Sequence, residues 1–216
     1  MGSHYRVGEE PADADIRKAL EEVISVLREA GISFLLMGGM SAATFARPRM
    51  TDDIDVFVRP DAAPHALEAL AAAGFDTKVK DPSWLYKAWK YGVLVDVIFR
   101  SSGDLYLDDE MLARGSEREY LGVTAPLVSP EDLLVIKALA AAEHSPQHWY
   151  DALAVIGRTE LDWAYLLSRA RLAGPRRLLS LLLYAESTDL AVPAEIIEEL
   201  FGVVHPRPAL GGSLTS

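Results

Sequence analysis

The sequence predicts an α/β (α+β) protein, with a mixed sheet flanked by helices over residues 1–125 and a helical domain over 126–205. Two patterns predict this. Up to about Ala125, short apolar runs alternate with segments of helical periodicity, the signature of a sheet with helices laid against it. From Ser129 to Leu200 the apolar residues keep helical spacing, broken only near Pro146, Gly157-Arg158-Thr159, Gly174-Pro175 and Val192-Pro193.

The first helix is expected over 15–30, where Ile16, Leu20, Val23, Ile24 and Leu27 fall on one face and Gly31 supplies the stop. Ile32-Ser33-Phe34-Leu35-Leu36-Met37 is too short for a buried helix and reads as a strand ending in Gly38-Gly39, after which Ser41 opens a brief helix to Ala46. A loop, 47–52, leads into the strand Asp53-Ile54-Asp55-Val56-Phe57-Val58. Asp61 is placed to cap a helix that runs to Ala73 and stops at Gly74. Residues 75–80 alternate like a strand and 93–99 form a stronger one. The aromatic and basic stretch 84–91 between them fits either a helix or a strand. Ser129-Pro130-Glu131-Asp132 is a helix start: serine at the cap, proline in the first turn and an acid three residues on. The Pro-, Gly- and Ser-containing residues 206–216 predict a disordered tail.

Composition narrows the function. Of 216 residues half are hydrophobic and a quarter charged, and the net charge of −11 lacks the basic excess of a protein that coats nucleic acid. The absence of cysteine removes disulfides, thiolate metal sites and thiol catalysis. No stretch approaches the roughly 20 apolar residues of a membrane span, and the first residues lack the apolar core of a secretion signal, so the expectation is a cytoplasmic protein with no membrane partner.

The informative motif is Asp53-Ile54-Asp55-Val56. Side chains alternate along a strand, so both aspartates share one face while Ile54, Val56 and Val58 take the other. Paired carboxylates repel unless a cation sits between them, and oxygen ligands of this hardness select Mg2+, or Mn2+. Thirteen residues, Met40 to Asp52, separate this pair from Gly38-Gly39, where unhindered N–H groups and a following helix offer a cradle for a triphosphate. Asp96, set among Val95, Val97 and Ile98, is an ionisable residue in an apolar strand, which a third metal ligand explains.

Met37-Gly38-Gly39, the gap, Asp53-Ile54-Asp55-Val56 and a later strand acid, Asp96, together resemble the nucleotidyltransferase superfamily typified by DNA polymerase β. Residues 39–58, with Arg49-Met50-Thr51-Asp52 leading into the acids, look more like the minimal and AbiEii-type nucleotidyltransferases and some antibiotic nucleotidyltransferases than like polymerases. The resemblance covers about residues 32–150. It implies that Asp53 and Asp55 hold two metal ions and that Asp96 completes the catalytic site. An acceptor hydroxyl, losing its proton near Asp96, would attack the α-phosphorus of a nucleoside triphosphate and release pyrophosphate. Gly38, Gly39 and Ser41 would line the nucleotide site, with Arg49 on the outer phosphates. The alternative for Arg49, and for Arg47, is a solvated surface charge.

In AbiEii-like enzymes a lysine on one helix and an aspartate on the next complete the site; Lys137 and Asp151 are the matching positions. That family's usual Arg-x-x-Lys-Asp is missing, because Ser145-Pro146-Gln147-His148-Trp149-Tyr150 stands in its place. Lys137 otherwise reads as a lysine snorkelling from an apolar face. His144 and His148 are separated by Pro146 and are assigned no ligand role. Trp84, Tyr86, Trp89 and Tyr91 read as core residues first and as a stacking surface second. Arg169, Arg171, Arg176 and Arg177 read as a solvated helix end before an RNA contact.

The function expected is Mg2+-dependent transfer of a nucleoside monophosphate. The acceptor is left open among a tRNA 3′ end, a protein side chain and a small molecule such as an antibiotic. A toxin–antitoxin setting with a cognate antitoxin, or a non-catalytic copy of the fold acting as a partner or sensor, is the alternative context.

Overall fold

A computed structural model of the chain describes residues 12–46 and 50–206. The predicted tail beyond Pro206, together with Arg47 and Arg49, lies outside the described residues. The strands are β1 (Phe34–Leu36), β2 (Asp53–Val58), β3 (Asp76–Asp81), β4 (Leu85–Lys90), β5 (Val93–Ile98), β6 (Ser116–Tyr120) and β7 (Val123–Leu127). They form one mixed sheet in the order β3-β4-β5-β2-β1-β7-β6, in which β2 with β5 and β1 with β7 are parallel pairs. The helices are α1 (Asp13–Glu29), α2 (Gly38–Phe45), α3 (Ala63–Ala72), α4 (Asp109–Arg114), α5 (Pro130–Ala140), α6 (Gln147–Arg158), α7 (Trp163–Leu172), α8 (Pro175–Ser187) and α9 (Ala194–Val204).

Alternation along the strands sorts the core into two layers. Phe34, Leu36, Ile54, Val56, Val58, Val95 and Val97 face the layer in which α1 buries Ile16, Leu20, Val23, Ile24 and Leu27. Leu35, Phe57, Leu85 and Ile98 face the opposite way. There they share one continuous core with Leu133, Val155, Leu166 and Leu181 from the later helices. Asp53 and Asp55 carry the same parity as Phe57, so both acids lie on the face covered by the later helices. β7 runs to Leu127, so this strand crosses residue 125. The edge strands β3 and β6 expose Asp76, Lys78 and Lys80, and Glu117 to Glu119, charges that discourage pairing with another chain.

Several sequence expectations are corrected. The helix expected to open at Ser41 begins at Gly38, because the glycine pair forms its first turn. Asp61 caps nothing: α3 starts from Ala62 without a side-chain cap and with proline in its first turn. The ambiguous segment 84–91 contains strand β4, which pairs antiparallel with β5 over six residues. The β6–β7 hairpin and α4 were not anticipated. The hairpin turns on Leu121-Gly122, both at positive φ, as two-residue hairpins require. Its alternating Val123, Ala125 and Leu127, all buried, were the available signal. The Ser129 cap is as expected, its hydroxyl accepting from the Asp132 N–H at 3.1 Å. Among the described residues no helix is long and apolar enough to cross a membrane.

Candidate active site

β2 and β5 run parallel with Asp55 directly opposite Asp96, so the pairing of two strands distant in sequence sets the two carboxylates side by side. Asp53 lies two residues back on the same face. This arrangement needs both glycines. Gly38 sits at φ +68°, and a Cβ there would collide with the Asp55 carboxylate; one on Gly39 would collide with Thr51. The Gly39 N–H bonds the Asp55 carboxylate. The expected phosphate cradle is therefore partly spent on an aspartate: the glycines let helix α2 pack onto the acids. Ser41 is corrected outright. It is fully buried and donates to the Leu36 carbonyl at 2.9 Å, away from the cavity.

The acids differ in their partners. The buried Thr51 hydroxyl donates to Asp53 Oδ1 at 2.7 Å. Asp96 accepts from Lys87 Nζ on both oxygens, at 2.8 and 3.1 Å. Burial pushes Asp55 up to about 7, reinforced by the charges of Asp53 and Asp96 and opposed by Lys137 and the Gly39 N–H. Burial also raises Asp96, while Lys87 works the other way. Among the described residues no three acidic or histidine side chains are gathered tightly enough to form a metal-holding group. The convergence of three acids expected from the sequence is thus incomplete: Asp53 turns to Thr51 and Asp96 to Lys87. The donor set itself fits a hard divalent cation, since all its ligands are carboxylate oxygens and the buried Asp55 carries repulsion that such a cation would relieve.

Asp55 and Asp96 open into a cavity of about 550 Å³, lined also by Gly38, Lys137 and His148. Lys137 is buried, with Nζ 3.0 Å from Asp151 Oδ2 and 3.4 Å from His148 Nδ1. Asp151 is not part of the cavity wall. It holds the lysine that is, so its predicted contact with the nucleotide becomes a positioning one. His148, assigned no role in the sequence, lies in the first turn of α6 and lines the cavity. Proline separates it from His144 as expected, but α6 turns it toward Lys137.

A rim of the same cavity is formed by Trp84 and residues 100–104. Trp84 is 38 % exposed, and its indole N–H donates to Asp81 Oδ2 at 3.1 Å, which fixes the ring by its edge. Of the four aromatics read first as core, Tyr86 packs on Phe99, whereas Trp84 faces the cavity. Arg100 steadies this rim through Ser83 Oγ at 3.2 Å. Thr51, Lys87 and His148 are the candidates that sequence reasoning missed, and Trp84 takes the second of its two readings, exposed on the cavity wall. For Lys87 the signal was its place in an alternating strand, which was not aligned with Asp96.

The expected solvated arginine cluster is also corrected. Arg169 is almost fully buried, 2.6 Å from Asp108 and 3.0 Å from Asp132, and Arg171 pairs with Glu199.

Comparison with known proteins agrees with this geometry. No curated protein matches the sequence. Among solved structures, the antibiotic-resistance factor ANT(2'')-Ia superposes with a TM-score of 0.52 at 15% identity, over 89% of this chain and 92% of that one. An antigenic nucleotidyltransferase-like protein from Paracoccidioides brasiliensis gives 0.51 at 15% identity, over 86% and 93%. The lincomycin-bound lincosamide antibiotic adenylyltransferase LnuA gives 0.49 at 12% identity, over 70% and 100%. At such identities the first two of these likenesses establish the fold alone. The family is fixed by a sequence model, described as nucleotidyl transferase of unknown function (DUF2204), that matches residues 16–172. Because that match spans well over half of the sequence, the chain belongs to the DUF2204 nucleotidyl transferases.

Proposed function

We propose that this enzyme transfers a nucleoside monophosphate from a nucleoside triphosphate to a hydroxyl of a small molecule, with Mg2+ or Mn2+ as cofactor. The observation that carries the reading is the Asp55–Asp96 register pair at the base of a cavity with Lys137 on its wall. Asp53, Asp55 and Asp96 would hold the cation, which when bound supplies charge stabilisation to the reacting phosphate oxygens. Lys137, held by Asp151, places a positive charge where a leaving pyrophosphate can be met, with the His148 ring beside it. In-line displacement puts the entering hydroxyl opposite the leaving group, and we place the acceptor at Trp84 and residues 100–104, which line the same cavity. The acceptor oxygen forms a bond to the α-phosphorus, the bond from that phosphorus to the pyrophosphate oxygen breaks, and the hydroxyl proton passes toward Asp96. Positioning and preorganised charge supply most of the rate.

Two observations favour a compact acceptor over tRNA. The cavity is of the size that encloses small ligands. The arginine cluster that would have touched RNA is reduced, because Arg169 is buried and Arg171 is paired, on a chain of net charge −11. ANT(2'')-Ia, an antibiotic-resistance factor by description, supports the same direction. The test is incubation with each α-labelled triphosphate and Mg2+ or Mn2+, offering in parallel a panel of hydroxylated antibiotics and a tRNA pool. Label on a small molecule with release of pyrophosphate is expected. Label confined to tRNA overturns the acceptor assignment, and no pyrophosphate release from any mixture in which nucleotide binds overturns the reaction.

A further inference from the structure

We infer that Lys87 is an internal counter-cation that withholds Asp96 from a divalent metal ion until that ion displaces it. The inference rests on the metal-dependent reading above and extends it to a residue outside the acidic set. Lys87 lies directly opposite Asp96 across the antiparallel β4–β5 pair, so the register of the sheet makes the ion pair unavoidable. Both side chains are mostly buried, 19 % and 16 % exposed. The ammonium engages both carboxylate oxygens.

A carboxylate offers about four acceptor positions, and here one donor group draws on both oxygens. A divalent ion arriving at Asp96 meets a fixed positive charge as well as a ligand already committed, and each weakens its binding. The same contact accounts for the incomplete gathering of the acids. Asp55, whose neighbour Lys137 is occupied by Asp151, keeps its excess repulsion, whereas Asp96 has a cation of its own. Lys87 is therefore a positioning residue: it sets where the third carboxylate points and how much negative charge the site offers.

A structural ion pair that merely ties β4 to β5 would lower stability when lost and leave metal affinity unchanged or weaker. Withholding predicts the opposite for affinity. The experiment is Mn2+ titration of the nucleotide-free protein, read by the electron paramagnetic resonance of the free ion, on wild type, Lys87→Met, Lys87→Gln, Lys87→Arg and Lys78→Met. Lys78 is the exposed residue paired with Lys87 on β3, so its removal changes the charge of the same strand face without touching Asp96. Lys87→Met should bind Mn2+ about tenfold more tightly, the factor that corresponds to 1.4 kcal/mol. Lys87→Gln should also tighten binding. Lys87→Arg and Lys78→Met should match wild type.

Absence of tightening in Lys87→Met and Lys87→Gln overturns the inference, as does equal tightening in Lys78→Met. If Lys87→Met does not fold, Lys87→Gln, which keeps a donor for Asp96, decides alone. If wild type binds no Mn2+ even with a triphosphate analogue present, the metal-dependent reading itself fails. Binding by wild type that the Lys87 variants do not alter removes only the role given to Lys87.

Discussion

Two regions of this protein bury charge, and they do it differently. Between α4, α5 and α7, Arg169 lies between Asp108 and Asp132, and Asp132 further accepts from Ser129 at 2.9 Å and from the Tyr165 hydroxyl at 2.9 and 3.1 Å. Here the charges answer one another inside packed helices. At the cavity, Lys87 is matched to Asp96 and Lys137 to Asp151, which leaves Asp53 and Asp55 without a basic partner of their own among the described residues. One region pairs its charges internally, although Arg169 Nη2 stays buried without an acceptor, and the other holds negative charge in reserve beside an open space. The difference separates a structural polar network from the site proposed to take a cation and a phosphate. Even the balanced network is costly to bury: desolvation pushes Asp132 up to about 6 in spite of Arg169.

Substitutions should break this contrast in opposite senses, and the largest effect belongs to the site. Asp55→Asn should lower nucleotidyl transfer by about 10³-fold, the scale seen when preorganised electrostatic stabilisation is lost. Its melting temperature should stay level or rise, because a repelled carboxylate has gone; rate assays and thermal denaturation on one preparation check both. Arg169→Met should do the reverse, losing about 3–5 kcal/mol of stability by leaving Asp132 buried and unpaired. The folded fraction should keep its turnover per molecule, as urea unfolding and activity at low temperature will show. A melting temperature unaltered by Arg169→Met would erase the distinction drawn between the two regions.

Two smaller effects sharpen it. Trp84→Ala should raise the acceptor KM about tenfold, a typical cost of truncating an aromatic anchor. The triphosphate KM should change little, because the indole belongs to the acceptor rim. The last effect is a pH dependence in the network. Asp132 titrates higher in the folded chain than its ordinary 3.8, so the folded state binds this proton more tightly than the unfolded one. Its contribution to stability therefore falls as pH rises from 3.8 to about 6 and is flat above. Asp132→Asn should lack that component, by about 2 kcal/mol across the window, when unfolding curves of the two proteins are subtracted between pH 4 and 7.

Legibility in the sequence followed the range of the interaction. Asp53-Ile54-Asp55 was readable because strand alternation is local, and Gly38-Gly39 because small residues beside such a motif ask for close approach. What the glycines approach was misassigned: a phosphate was expected at the Gly39 N–H, and the Asp55 carboxylate holds it. Lys87 and His148 are not legible because each acquires its partner from a neighbour brought in by folding, and for the same reason the sequence ranks Trp84 as core first.

The sequence by itself determined many of the elements and their faces: the apolar stripe of α1, the Ser129 cap, the break at Pro146 and the face shared by the two acids of β2. All of these follow from periodicity and from chemistry a few residues away. Only the tertiary structure decided that Asp96 stands opposite Asp55, that Lys87 answers it from the next strand, and that Arg169 is buried in the helical layer. Strand order and register are chosen by packing between segments tens of residues apart, and the partner of a buried charge is whichever group that packing brings within reach.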